Sequence, residues 1–136
     1  MSRSWRGTGK VLLVDDEQAV RMVAGKMLER CGFDVLHAGD GREALEVFRK
    51  HSADIVCVLL DLKMPRMDGE EAFRELRRIR PDVRVILASG YSDSEIPQRF
   101  AGEGLAGFIE KPYQLHALIA KLRAALEQGS RPAPTS

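Results

Sequence analysis

Five short apolar runs punctuate the chain, Val11 to Val14, Phe33 to Leu36, Ile55 to Leu60, Val83 to Ala88 and the weaker Leu105 to Ile109. They read as strands, and the stretches between them carry helical periodicity. Val20, Val23, Ala24, Met27, Leu28 and Cys31 recur at the i, i+3, i+4, i+7 spacing of one buried face, and Leu115, Leu118, Ile119, Leu122 and Leu126 repeat it near the end. Strand and helix alternating five times with short links call for a parallel sheet with helices on both faces. The third and fourth runs, nearly continuous in apolar residues, read as strands buried on both sides. A chain of 136 residues holds one such domain and not two.

Capping signals sharpen two helix starts. Asp40-Gly-Arg-Glu43 and Asp68-Gly-Glu-Glu71 each place an acceptor at the N-cap and a Glu three residues on, so helices are expected from near Gly41 and Gly69. Beyond Tyr91, Pro97 forbids a helix interior, but Ser94 as N-cap would put Pro97 in the first turn of a short fourth helix. The ends, 1–9 and 128–136, are rich in Gly, Ser, Pro and Arg and read as flexible tails around a domain at 10–127.

Composition excludes several classes. Hydrophobic residues at 44% and charged residues at 30% fit a soluble globular domain rather than a disordered or membrane chain. The 21 basic and 20 acidic residues leave a formal charge of +1, so no overall field draws the chain to nucleic acid or an anionic membrane. Arg74, Arg77, Arg78 and Arg80 read as a charged solvent face on a helix. Cys31 and Cys57, with no CxxC or Cys/His spacing, read as core residues of a reducing compartment. With no apolar run of about 18 residues and no apolar stretch near the start, the cytoplasm is the expected location.

In an open parallel sheet, ligands bind outside the carboxyl ends of the strands. Asp15 and Asp16 end the first run, Asp61 the third and Ser89 the fourth, while Lys111 follows the fifth with Pro112 behind it. Taken singly, Asp-Asp is a helix N-cap, Ser89 a turn hydroxyl and Lys111 a surface lysine. Asp61, however, follows five apolar residues, where an ionised group needs a compensating partner. Two carboxylates roughly 4 Å apart cost on the order of 4 kcal/mol at an effective dielectric of about 20, so the cluster calls for a cation. Hard oxygen ligands of this kind suit Mg²⁺, and Lys111 adds a fixed positive charge.

Val11-Leu-Leu-Val-Asp-Asp-Glu17, Leu59-Leu-Asp-Leu-Lys-Met-Pro-Arg-Met-Asp-Gly69, Ala88-Ser-Gly90 and Phe108-Ile-Glu-Lys-Pro112 resemble the response-regulator receiver domain of two-component signalling. The resemblance implies a flavodoxin-like (βα)5 fold, doubly wound, with strand order 2-1-3-4-5. It implies a phosphoacceptor at Asp61 and Mg²⁺ held by Asp16 directly, Asp15 through water, Asp61, and the Lys63 backbone carbonyl. Ser89 and Lys111 would hold the phosphoryl group, and a cis peptide bond would precede Pro112; Lys63 and Tyr91, each two residues beyond a site residue, are expected from that position to flank the phosphoryl group. Ser89 and Phe108 would form the switch, although a permanently buried core ring is the plain alternative for Phe108.

The donor so implied is a histidine kinase or a histidine phosphotransferase. The readout face would be the fourth helix, fifth strand and fifth helix, where a partner or a second copy docks. Such a chain is no enzyme beyond promoting its own phosphorylation and dephosphorylation. Asp68-Gly-Glu-Glu-Ala72 and Gly104-Leu-Ala-Gly-Phe108 are similar to receivers attached to hybrid sensor kinases. The competing reading is a pseudo-receiver, an interaction module without the chemistry, against which the intact Asp15, Asp16, Asp61, Ser89 and Lys111 argue. A flavodoxin-like cofactor binder or small phosphatase is a third alternative, for which this chain lacks a phosphate-cradling glycine loop and a nucleophile two residues before a second Asp.

Overall fold

The computed structural model describes residues 7–62, 69–89, 105–111 and 113–130, without the side chains of 128–130. Five parallel strands form one sheet in the order β2-β1-β3-β4-β5: β1 Lys10–Val14, β2 Asp34–Ala38, β3 Ile55–Asp61, β4 Val85–Ser89 and β5 Gly107–Glu110. The helices among the described residues are α1 Gln18–Arg30, α2 Gly41–His51, α3 Gly69–Ile79 and α4 Leu115–Ser130, the last being the expected fifth helix. Asp68, the segment of Ser94 and Pro97, and with them the expected short fourth helix, lie outside the described residues.

Successive side chains of a strand face opposite sides of the sheet, and both sides here are apolar. Leu12, Val14, Val58, Leu60, Val85 and Leu87 join Phe48 of α2 and Phe73 of α3 in one core. Val11, Leu13, Cys57, Leu59, Ile86 and Ala88 join Leu28 of α1 and Leu118 and Leu122 of α4 in the other. β3 and β4 are buried on both faces, as their unbroken apolar runs predict. Cys31 and Cys57 are buried free thiols.

Local chemistry explains where the strand and helix limits depart from expectation. Phe33 does not open β2, because its N–H closes α1: it donates to the Leu28 carbonyl while the Gly32 N–H donates to Glu29, with Gly32 at φ 103. That is a left-handed glycine stop, which only a residue without Cβ adopts freely. Val83 is turned back onto the Arg80 carbonyl and precedes the ladder instead of starting it. Val23, expected on the buried face of α1, is 56% exposed. The helix rolls away from it because Gly25 sits against β2, where a Cβ would lie 3.2 Å from the His37 ring.

The expected tails are shorter than their composition suggests. Gly7 is buried and donates to the Cys31 carbonyl, and α4 continues to Ser130, past the expected limit at residue 127. Asp40 caps α2, accepting from the Glu43 N–H at 2.8 Å, but the Glu43 carboxylate closes on the Gly39 N–H one residue before the cap. Arg80, expected on a solvent face, instead reaches the Ser52 and Ile55 carbonyls and pairs with Asp82, fastening the end of α3 to the start of β3. Among the described residues no helix is long and apolar enough to cross a membrane.

Candidate functional site

The parallel sheet delivers its carboxyl-terminal residues to one edge. Asp15 follows β1, Asp61 and Ser89 end β3 and β4, and Lys111 follows β5. Main-chain bonds fix their heights: Asp15 N–H to Ala38, Leu62 N–H to Ala88, and Lys111 N–H to the Ser89 carbonyl at 2.7 Å. Carboxylate oxygens of Asp15, Asp16 and Asp61 lie within 4.8 Å of one another, with Asp15 and Asp61 buried and Asp16 exposed. Each pair at such a separation repels by about 3 kcal/mol at an effective dielectric of about 20.

Lys111 answers part of that repulsion. Its ammonium lies 2.8 Å from Asp15 Oδ2 and 3.5 Å from Asp61 Oδ2, with Glu17 at 3.9 Å. Burial works against its charge, but the Asp15 contact and the charges of Asp61 and Asp15 outweigh burial and hold the amine above its ordinary value. The lysine is therefore cationic at neutral pH. Its approach to Asp15 lies off the hydrogen-bond direction, so Oδ2, fully buried, keeps an ion pair but no directed hydrogen bond among the described residues.

Neither Asp15 nor Asp16 caps α1, the role either would carry if taken singly. Glu17 occupies the cap position of α1 with no side-chain cap bond, and Asp15 Oδ1 accepts the Glu17 N–H at 2.9 Å, a local Asx turn. Oδ1 thus holds the turn while Oδ2 meets the Lys111 ammonium. Three carboxylates, one orphaned buried oxygen and a single lysine fit a hard divalent cation that accepts oxygen ligands and keeps its waters. Mg²⁺ suits that donor set.

Ser89 is buried at 2% exposure beside this edge. Phe108, paired with Leu87 in the β4–β5 register, is half-buried against the α2–α3 core. Lys63, Tyr91 and Pro112 lie outside the described residues. Three residues went unsingled by the sequence. Glu17 lies near Lys111, and Arg21 donates to the Asp15 carbonyl, tying α1 to the acidic turn. Tyr113 is buried with its phenol pushed up by burial and then by the charges of Asp15 and Asp61. A helix-face arginine and an aromatic after Lys-Pro carry no periodic signal that would single them out.

Residues 11–123 match the response regulator receiver domain family. The chain belongs to that family. This receiver is 37% identical over 122 residues to "Sensor kinase CckA" of Brucella abortus (strain 2308), covering 90% of the chain and 13% of that protein. A crystal structure of a response regulator receiver domain protein from Clostridium thermocellum superposes with a TM-score of 0.83 at 29% identity, covering 89% of this chain and 96% of that one. The CheX-CheY-BeF3-Mg complex from Borrelia burgdorferi gives a TM-score of 0.81 at 26% identity, over 85% and 87% of the two chains. The receiver spans about half the length of several curated regulators it matches.

Proposed function

We propose that this receiver accepts a phosphoryl group onto Asp61 from a phosphohistidine on a histidine kinase or histidine phosphotransferase, in a Mg²⁺-dependent reaction, and signals through a change of conformation. The observation that carries the reading is the convergence of Asp15, Asp16 and Asp61 within 4.8 Å, with Lys111 3.5 Å from Asp61. An Asp61 carboxylate oxygen attacks phosphorus in line as the P–N bond breaks, and the imidazole departs as the leaving group. Asp15, Asp16, Asp61 and the Lys63 carbonyl would hold Mg²⁺, which when bound neutralises the carboxylates and the transferring oxygens. Lys111 and Ser89 then bind the phosphoryl oxygens, so catalysis rests on position and charge.

Phosphorylation adds charge that the Lys111 ammonium and the Ser89 hydroxyl can bind. Drawing Ser89 inward, with rotation of the half-buried Phe108, is the proposed switch, read by a partner or second copy on the face of β5, α4 and the segment before β5. Self-dephosphorylation is the only further chemistry proposed, and a cytoplasmic site of action accords with the two buried free thiols. The similarity to 13% of a sensor kinase makes attachment to a longer kinase part of the proposal. The test is mass spectrometry after acetyl phosphate treatment. The parent should gain one phosphoryl group with Mg²⁺ and none in EDTA, and Asp61→Asn should gain none. Equal labelling of parent and Asp61→Asn would overturn the assignment. Beryllofluoride should move backbone amides of β5 and α4 in the parent far more than in Ser89→Ala. Identical shifts would sink the switch alone.

A further inference from the structure

Asp15 is held at every polar group. Its N–H donates to the Ala38 carbonyl at 3.1 Å, Oδ1 accepts the Glu17 N–H at 2.9 Å, Oδ2 meets the Lys111 ammonium at 2.8 Å, and its main-chain carbonyl accepts from Arg21 Nη1. The last contact is unlike the others. Asp15 lies beyond the end of β1, and the donor that reaches its carbonyl is a side chain six residues on.

Arg21 stands in the first turns of α1, where its own N–H donates to the Glu17 carbonyl at 3.1 Å. Its half-buried side chain also lies against the link that follows β2, since a Cβ on Gly39 would be 3.5 Å from Nη1. The guanidinium thus joins three pieces of chain at one corner: the start of α1, the end of β1 and the residue after β2.

The carbonyl it holds belongs to the peptide between Asp15 and Asp16, and a peptide is planar. Fixing the oxygen fixes that plane, and with it the direction in which Asp16 leaves the chain. Asp16 depends on this more than its neighbour does. It is exposed, and among the described residues no hydrogen bond or ion pair fixes its carboxylate, whereas both oxygens of Asp15 are engaged. By charge alone a guanidinium disfavours a cation nearby, so any support Arg21 gives to the metal site comes through geometry.

We propose that Arg21 is a positioning residue of the metal site, its guanidinium locking the Asp15–Asp16 peptide so that the Asp16 carboxylate is turned towards the ion. This rests on the Mg²⁺ reading above. Arg21 touches neither the ion nor Asp61 in this role; it acts through Asp16.

The test is calorimetric titration of the full 136-residue chain with Mg²⁺ alone, for the parent, Arg21→Met, Asp16→Ala and the double variant. Arg21→Met should weaken Mg²⁺ binding by about threefold to tenfold, although loss of the charge by itself would tighten it. In the Asp16→Ala background the same change should have no further effect. Arg21→Gln, too short to reach the carbonyl, should show the same loss and carries the test if Arg21→Met does not fold. In metal-free protein the Asp16 amide resonance should move in either Arg21 variant. An Asp16 amide left in place, unchanged or tighter Mg²⁺ binding, or an equal loss with and without Asp16 would overturn the proposal, while the parent's own binding keeps the metal reading intact. A parent that binds no Mg²⁺ would overturn both.

Discussion

Lys111 stands nearer to Asp15 than to Asp61, its ammonium 2.8 Å from the first carboxylate and 3.5 Å from the second. Asp15 is fully buried, so the lysine is its counter-charge before it is anything else. Removing one partner of a buried pair leaves an uncompensated charge. Lys111→Met should therefore destabilise the metal-free protein by about 3 kcal/mol in urea unfolding, with Mg²⁺ restoring part of the loss. A loss within error of zero would show that solvent already screens the pair.

Asp16 is exposed where Asp15 and Asp61 are buried, and of these three only the two buried carboxylates pair with the Lys111 ammonium. Removing Asp16 relieves repulsion without stranding a cation. Asp16→Ala should match or exceed the parent in thermal stability without metal, yet bind Mg²⁺ more weakly than Asp15→Ala does. Calorimetry on the two variants checks the order, and equal affinities would contradict it.

Alkaline pH should soften the fold from a point far from the pocket as well as within it. Burial pushes the Cys57 thiol from 9.0 up to about 12, against smaller opposing pulls from Arg84 and the Val58 backbone. The folded state thus keeps a proton that the unfolded chain loses, so this contribution is full below pH 9.0 and declines as pH rises towards 12. The limiting slope is about 1.4 kcal/mol per pH unit. Lys111, also raised, adds a loss of the same sign above 10.5. Urea midpoints across this range should fall less steeply in Cys57→Ala than in the parent; parallel declines would clear Cys57.

Much of the architecture was legible because both sides of the sheet are covered, which makes its strands continuous apolar runs that periodicity alone can find. The site residues were legible for a related reason: Asp15, Asp61 and Ser89 are polar groups placed where an apolar run stops. The strand order came from resemblance to a family and not from the residues, since nothing local says which strand neighbours which. Val23 was misplaced because helical spacing cannot register how closely Gly25 lets α1 approach β2. Tyr113 was passed over because a buried aromatic ring looks the same to a pattern with or without its hydroxyl.

Gly69 was read only as part of a capping signal, but a Cβ there would lie 2.6 Å from both the Asp61 carbonyl oxygen and the Leu62 Cα. Its N–H donates to the Leu62 carbonyl at 2.7 Å, so α3 begins in contact with the backbone that carries Asp61. Gly69→Ala must displace one or the other. The expected cost is roughly 1–3 kcal/mol of stability, with weaker Mg²⁺ binding as the sign that Asp61 has moved. Unfolding and calorimetry on the variant decide it, and parental values in both would mean that the Asp61–Leu62 backbone yields freely.

Arg80 grips the Ser52 and Ile55 carbonyls at the foot of β3, the strand whose head is Asp61. A strand anchored at its base cannot slide along its own axis when charge arrives at its tip. On the proposed phosphorylation of Asp61, displacement at the tip would pass laterally, across the ladder into β4 and outward into the first turn of α3. The molecule would then act as a tuning fork clamped at the stem, held where the end of α3 meets the start of β3 and responsive at the tines.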